Sequence, residues 1–181
     1  MHPRTYKSEG IVLGRQNYGE ADRIIHVFSK DFGKVVLIAK GVRKITSRKR
    51  GHIEIFSKIR FSAVRGKGLD IILEAEQQEA FPRIRKDLKK VALAYYFCEI
   101  IGRVARENEV NKLLYDILVT FLERLETSTS LKALRFDYVR EIVVAAGYWP
   151  AGKTLENPDQ VLEEIIERTP NTLRVGKKLL A

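Results

Sequence analysis

The spacing of apolar residues changes character at Phe81-Pro82. Before that point they come in short runs of strand length. Gly10-Ile11-Val12-Leu13 opens an extended segment, and Arg23 to Phe28 and Lys34 to Ala39 are rich in β-branched residues. Asp31-Phe32-Gly33 supplies a tight turn between the latter two. Further on, Ile53, Ile55, Ile59, Phe61 and Ala63 share one parity, while Glu54, Lys58, Arg60 and Ser62 share the other. That alternation predicts a strand with one buried face. Arg65-Gly66-Lys67-Gly68 reads as a hairpin turn, after which Leu69 to Ala75 returns with Ile71, Leu73 and Ala75 inward. Short strands joined by glycine-rich turns, with no long helix between them, predict a five-stranded barrel over residues 1–80. The OB-fold is the barrel of this size that commonly binds nucleic acid, an analogy at the level of fold.

After Phe81-Pro82 the period becomes helical. The stretch 84–107 is almost continuously apolar from Val91 to Ile101, as in a helix buried on most sides. Val110, Leu113, Leu114, Ile117, Leu118, Phe121, Leu122 and Leu125 form an amphipathic stripe over 110–125. A third helix is predicted from a Ser130 cap to about Ala146. A fourth begins at Asn157-Pro158-Asp159-Gln160, where Asn caps and Pro takes the first helical position. Residues 81–181 are therefore expected to form an all-helical domain, and the fold class is α+β.

Composition narrows the function. The chain has 181 residues, 45% of them hydrophobic, enough for a real core and against intrinsic disorder. No apolar run approaches the ~18 residues of a membrane span, and the N-terminus lacks a signal-peptide core. The expectation is a cytoplasmic protein. A single cysteine, Cys98, excludes an internal disulfide and a cysteine-based zinc site; inside Tyr95–Ile101 it reads as a small core residue. Lys+Arg 33 against Asp+Glu 23 gives a formal net charge of +10, which favours polyanionic partners. Most of the excess precedes residue 81. The run Lys40–Arg50 (Lys40, Arg43, Lys44, Arg48, Lys49 and Arg50) contains no acid. It reads as an exposed loop, either simply solvated or neutralised by a nucleic-acid backbone.

Other features carry weaker chemistry. Arg83, Arg85, Lys86, Lys89 and Lys90 place cations in the opening of the first helix, where the dipole favours acids. They are either a solvated face or a secondary phosphate track that uses the free amides of the helix start. Phe56, outward between Glu54 and Lys58, is a candidate base-stacking platform, or packs against the helical domain. Gly147-Tyr148-Trp149-Pro150-Ala151-Gly152-Lys153-Thr154 matches the phosphate-loop pattern letter for letter. It follows a helical rather than a strand period, however, and Asn157-Pro158 interrupts the helix that should come next. Asp70, Glu74 and Glu76 share an outward parity and read as solvated. His2, His26 and His52 lack ligand spacing. With no catalytic constellation legible, neither enzyme activity, cofactor nor metal is expected.

The blocks Glu9-Gly10-Ile11-Val12-Leu13, Tyr18-Gly19-Glu20-Ala21-Asp22-Arg23, Phe32-Gly33-Lys34 and Ala39-Lys40-Gly41-Val42-Arg43-Lys44 occur in that order. Ser47-Arg48, Gly51, Phe56, Arg65-Gly66-Lys67-Gly68-Leu69-Asp70 and Ala75-Glu76 follow. In these the chain resembles the RecO family of bacterial recombination mediators; the second half matches more loosely, through Leu134-Arg135-Phe136 and Gly147-Tyr148-x-Pro150. The resemblance implies an N-terminal OB-fold and a C-terminal helical domain. It implies binding of single- and double-stranded DNA, annealing of complementary strands, and loading of RecA on DNA coated by single-strand-binding protein (SSB). RecR and the acidic C-terminal tail of SSB are the implied partners. The family's DNA contacts would fall on the basic loop and its neighbours Arg15, Arg23, Lys34, Arg65 and Lys67. Arg135 and Phe136 match a position near the pocket for the acidic tail. An RNA-binding OB module, which would share the basic loop, is the rival reading, with a nucleotide-binding loop at Gly147–Thr154 more remote, and a nucleoid-associated location is expected. Many relatives carry a cysteine-rich zinc module where this chain reads Ala151–Glu156, so zinc is not expected. The tail Arg174–Ala181 looks curtailed for the family.

Overall fold

The computed structural model describes residues 4–47, 49 and 51–166. The candidate contacts Arg48 and Arg50, His2 and the tail from Arg174 lie outside the described residues. Packing divides the chain into two units. One holds the residues up to Ala80 together with Arg106–Val110; the other starts at Phe81 and resumes at Asn111.

The first unit is a closed barrel of order β1-β2-β3-β5-β4, an OB-fold. Its strands are β1 (Thr5–Tyr18), β2 (Asp22–Ser29), β3 (Gly33–Ala39), β4 (Lys58–Val64) and β5 (Asp70–Glu79). Closure depends on β1, which is long enough to pair twice. Its first half runs antiparallel to β4 (Thr5 opposite Val64) and its second half to β2 (Tyr18 opposite Asp22). A register shift between Val12 and Gly14 bends the strand where it changes partners. β3 and β5 pair in parallel, with Leu37 beside Asp70. Val12, Ile25, Val27, Leu37, Ile59 and Phe61 fill the interior, each no more than 2% exposed.

Two strand expectations need correction. The alternating run from Ile53 does not begin a strand: residues 53–57 turn, and β4 starts at Lys58. Ile53 still reaches the core at 1% exposure, so the apolar parity was real although the extended backbone was not. In β5 the register shifts opposite Ser62 and Ala63, so Ala63 faces Ile72 while Ser62 faces Glu74. Leu73 is the extra residue of this bulge. Ile72 therefore points inward at 0% exposure and Leu73 outward at 46%, against the simple period-two reading that put Ile71 and Leu73 inside.

The helical unit contains α1 (Pro82–Arg85), α2 (Leu88–Val104), α3 (Lys112–Thr127), α4 (Leu131–Ala145) and α5 (Pro158–Ile166). The long first helix expected over 84–107 is two helices. Asp87 breaks the run by adopting extended backbone and accepting from the Lys89 and Lys90 amides, capping α2. Phe97, Phe121 and Tyr138 form the aromatic centre, with Phe97 and Tyr138 ring centroids 4.0 Å apart. The Tyr138 hydroxyl donates to the Phe97 carbonyl at 2.8 Å, and burial holds its ionisation well above the ordinary tyrosine range. Cys98 is part of this core at 1% exposure. Asn157 caps α5 as expected, accepting from the Gln160 amide at 3.3 Å.

The segment Arg106–Val110, which links α2 to α3, belongs to the barrel unit. Glu107 bridges Lys34 in parallel, and the Asn108 amide donates to the Lys34 carbonyl at 3.0 Å. The segment thus lies along the part of β3 that has no ladder to β5. It satisfies backbone groups that a barrel edge would otherwise leave open.

Candidate nucleic-acid interface

The basic loop is built rather than merely solvated. Val42, flanked by cations, is fully buried and anchors it to the barrel core. The β1–β2 hairpin supplies the other fastenings. Asp22 Oδ1 accepts from the Gly41 amide at 2.7 Å, and the Ala21 carbonyl accepts from the Arg43 amide at 2.9 Å. Arg43 Nη1 donates to the Gly19 carbonyl at 3.1 Å. Gly41, at φ 64°, makes the left-handed turn that lets the chain double back onto the hairpin. On the far side Lys49 Nζ donates to the Ile72 carbonyl at 3.2 Å, and His52 Nδ1 accepts from the Gln77 amide. Hydrogen bonds to carbonyls orient these cations without neutralising them. Lys40 and Lys44 are exposed.

The second turn is held in a similar way. Asp70 accepts from the Tyr6 hydroxyl at 2.8 Å and from the Gly66 amide at 3.1 Å, while the Arg65 guanidinium sits 5.5 Å from the Tyr6 ring centroid. Burial first, and then Asp70, raise the Tyr6 ionisation above its ordinary value. The register places the two turns around one outer face. Asn17 and Arg23 stand level with Ala39, and Asp70 stands beside Leu37, two residues earlier on the same strand. The structure therefore brings Lys40, Arg43, Lys44, Arg65 and Lys67 to the two turns at this end of β3, while Arg23, on the inward parity it shares with Ala39, donates through Nε to Asn17 Oδ1 at 3.3 Å.

Other nominated residues do not join this cluster. Arg15 is paired with Glu54 at 2.6 Å, on the inward parity of β1, so its charge is locally cancelled. Lys34 lies six residues along β3 from Lys40, about 20 Å at strand rise, beside Glu107. Phe56 is not a platform: at 2% exposure with φ 56° it is buried in a turn. The free amides expected at the start of the helical unit are also engaged. Glu126 Oε1 accepts from the Arg83 and Ile84 amides, and Asp87 from those of Lys89 and Lys90. Lys90 Nζ itself donates to the Glu126 carbonyl at 2.9 Å. Arg83, Arg85, Lys86 and Lys89 remain exposed.

The stretch Gly147–Thr154 lacks the geometry of a phosphate loop, because it leaves α4 and reaches α5 only at Pro158. Instead, Gly152, Lys153 and Thr154 line a groove of about 710 Å³ that also holds Leu113, Phe136 and Arg140. Phe136 lines this groove, whereas Arg135 does not. It grips Asp159 through two bonds of 2.6 and 2.7 Å, and its guanidinium lies 5.8 Å from the Tyr96 ring centroid. Its spacing in sequence could not reveal this, since Asp159 arrives from another helix. The Asp159 bonds hold the Arg135 proton more firmly than usual, despite burial, which opposes the charge.

An OB barrel with a fastened cationic rim, followed by an all-helical unit, defines the class: two-unit proteins that join a small closed barrel to a helical bundle. The family model for the Recombination protein O N-terminal domain matches residues 1–81, and that for the C-terminal domain matches residues 85–153. The chain belongs to the RecO family. It is 32% identical over 150 residues to the DNA repair protein RecO of Roseiflexus sp. (strain RS-1), covering 83% of this chain and 53% of that protein. It is 36% identical over 147 residues to the DNA repair protein RecO of Desulforudis audaxviator (strain MP104C), covering 81% and 59%. With its counterpart from Dehalococcoides mccartyi (strain ATCC BAA-2266) it shares 30% over 160 residues, covering 88% and 63%. The chain therefore spans between about half and two-thirds of the length of these relatives.

Proposed function

We propose that the protein is a DNA-binding mediator of recombinational repair, which binds single- and double-stranded DNA and anneals complementary strands without a chemical step of its own. The observation that carries this reading is the cationic rim, fastened by Asp22, Ala21 and Gly19 to the hairpin of an OB barrel. A loop that existed only for solubility would not need a buried Val42 and three anchoring bonds. Cations held around one face neutralise phosphates of a bound strand. Lowering the repulsion that opposes its complement then favours pairing. The names of the relatives, DNA repair protein RecO, agree with this.

RecR, the acidic tail of SSB and, indirectly, RecA are the proposed partners. For the tail, the groove beside Phe136 offers apolar walls with Arg140 and Lys153 at its border. That chemistry suits an acidic peptide ending in an apolar residue. Lys153 replaces Arg135 in this reading, because Arg135 is committed to Asp159, and Arg140, 3.4 Å from Asp137, is the weaker second cation. The test is annealing of SSB-coated complementary strands by the wild-type protein and by the Lys40→Glu, Lys44→Glu, Lys67→Glu triple variant. The wild type should accelerate annealing and the variant should not. Equal acceleration by both would show that the rim is only solvated.

A further inference from the structure

We infer that Tyr18 is the side chain on which a base of the bound single strand stacks. The inference rests on the DNA-binding reading and adds a second, non-electrostatic element to the same site. Inward positions at this end of the barrel are identified by Ile25 and Leu37, which pair level with Arg15 and are fully buried. Gln16 pairs with Ile24 and Tyr18 with Asp22, on the opposite parity. Tyr18 therefore projects from the outer side of the β1–β2 hairpin, 53% exposed. Among the described residues of the barrel unit it is the one exposed aromatic ring. Among the described residues, too, neither a ring contact nor a side-chain hydrogen bond engages it. Tyr18 directly precedes Gly19, whose carbonyl receives Arg43 Nη1, so it stands next to the anchor point of the basic loop.

An exposed aromatic ring on an edge of regular structure, next to cations oriented by carbonyls, matches what a single strand requires. Phosphates meet the cations while an unpaired base covers the ring, and every base offers a π-face for the purpose. Ile45, at the tip of the basic loop and 91% exposed, offers apolar area without a π-face. Phe56, the ring that sequence parity nominated, is buried.

The experiment compares wild type, Tyr18→Ala, Tyr18→Phe and Tyr18→Trp in binding to an oligo-dT strand and to an abasic strand of equal length. Tyr18→Ala should weaken oligo-dT binding about tenfold, leave abasic binding unchanged, and keep the slope of affinity against salt. Tyr18→Phe should bind as wild type. Tyr18→Trp should bind at least as well, with its indole emission quenched by oligo-dT and not by the abasic strand. An equal loss on both strands, or none on either, would overturn the stacking role while salt-dependent binding by the wild type kept the DNA reading intact. A wild type that bound neither strand would overturn both.

Discussion

Adding one methyl group at Gly33 should open the barrel edge, and the cost can be worked from the coordinates. Gly33 has φ 69°, a region in which an L-residue loses about 1–2 kcal/mol. A Cβ built there would overlap the Glu109 carbonyl and lie 2.9 Å from the Glu109 nitrogen, all of it backbone that cannot rotate aside. The segment 106–110 would have to withdraw from β3. That would lose the Asn108–Lys34 backbone bond, worth about 0.5–1.5 kcal/mol. The sum is about 1.5–3.5 kcal/mol for Gly33→Ala. Gly19→Ala is the control, because Gly19 has φ 55° and open space around its hypothetical Cβ, so it should lose only the conformational part. Urea unfolding gives the two totals, and amide hydrogen exchange along β3 localises the difference. If Gly33→Ala costs no more than Gly19→Ala, the 106–110 segment does not seal the barrel as described.

Three further outcomes follow from particular contacts. Arg15→Ala with Glu54→Ala, which removes a neutral pair, should change single-strand affinity by less than about twofold, whereas Lys40→Glu with Lys44→Glu should lower it at least tenfold in low salt; fluorescence anisotropy separates them. Arg135→Ala should loosen α5 by about 1–3 kcal/mol, read as loss of amide protection in Pro158–Ile166, and undiminished protection would show that the Asp159 pair does not hold the helix. His26 is held below its ordinary value of 6.5, first by burial and then by Lys34. The unfolded chain therefore binds the extra proton first, so the His26 contribution is complete above pH 6.5 and declines as pH falls through that value toward the lower folded one. His26→Gln should flatten that acid-side loss of stability in urea titrations, and an unchanged pH profile would contradict the assignment.

Much of the fold was legible because it rests on local rules. The helical stripe of α3, the Asn157 cap and the turn at Asp31-Phe32-Gly33 are statements about neighbours in sequence, whereas Ser130 precedes α4 without a side-chain capping bond. What escaped depends on partners far along the chain. The bulge that turned Ile72 inward and Leu73 outward is set by the pairing of β5 with β4. Asp87, the acid within the run of cations opening the helical unit, caps α2 through a carboxylate whose partners depend on the local break in the helix. At the candidate site, charge density marked the loop. It could not distinguish Arg43, oriented by Gly19, from Arg15, cancelled by Glu54, nor could it show that Val42 anchors the loop. Phe56 was misplaced for the same reason. Parity assumed an extended strand at Phe56, where the chain in fact turns with positive φ.

The central claim is that the rim binds DNA through its phosphates, and the dependence of single-strand affinity on salt tests it most directly. With about five to seven phosphates contacted, log affinity should fall against log salt with a slope of about −4 to −5. The Lys40→Glu, Lys44→Glu, Lys67→Glu variant should bind more weakly, with a slope shallower by about 2. A flat response in the wild type, or an identical slope in the variant, would contradict the account.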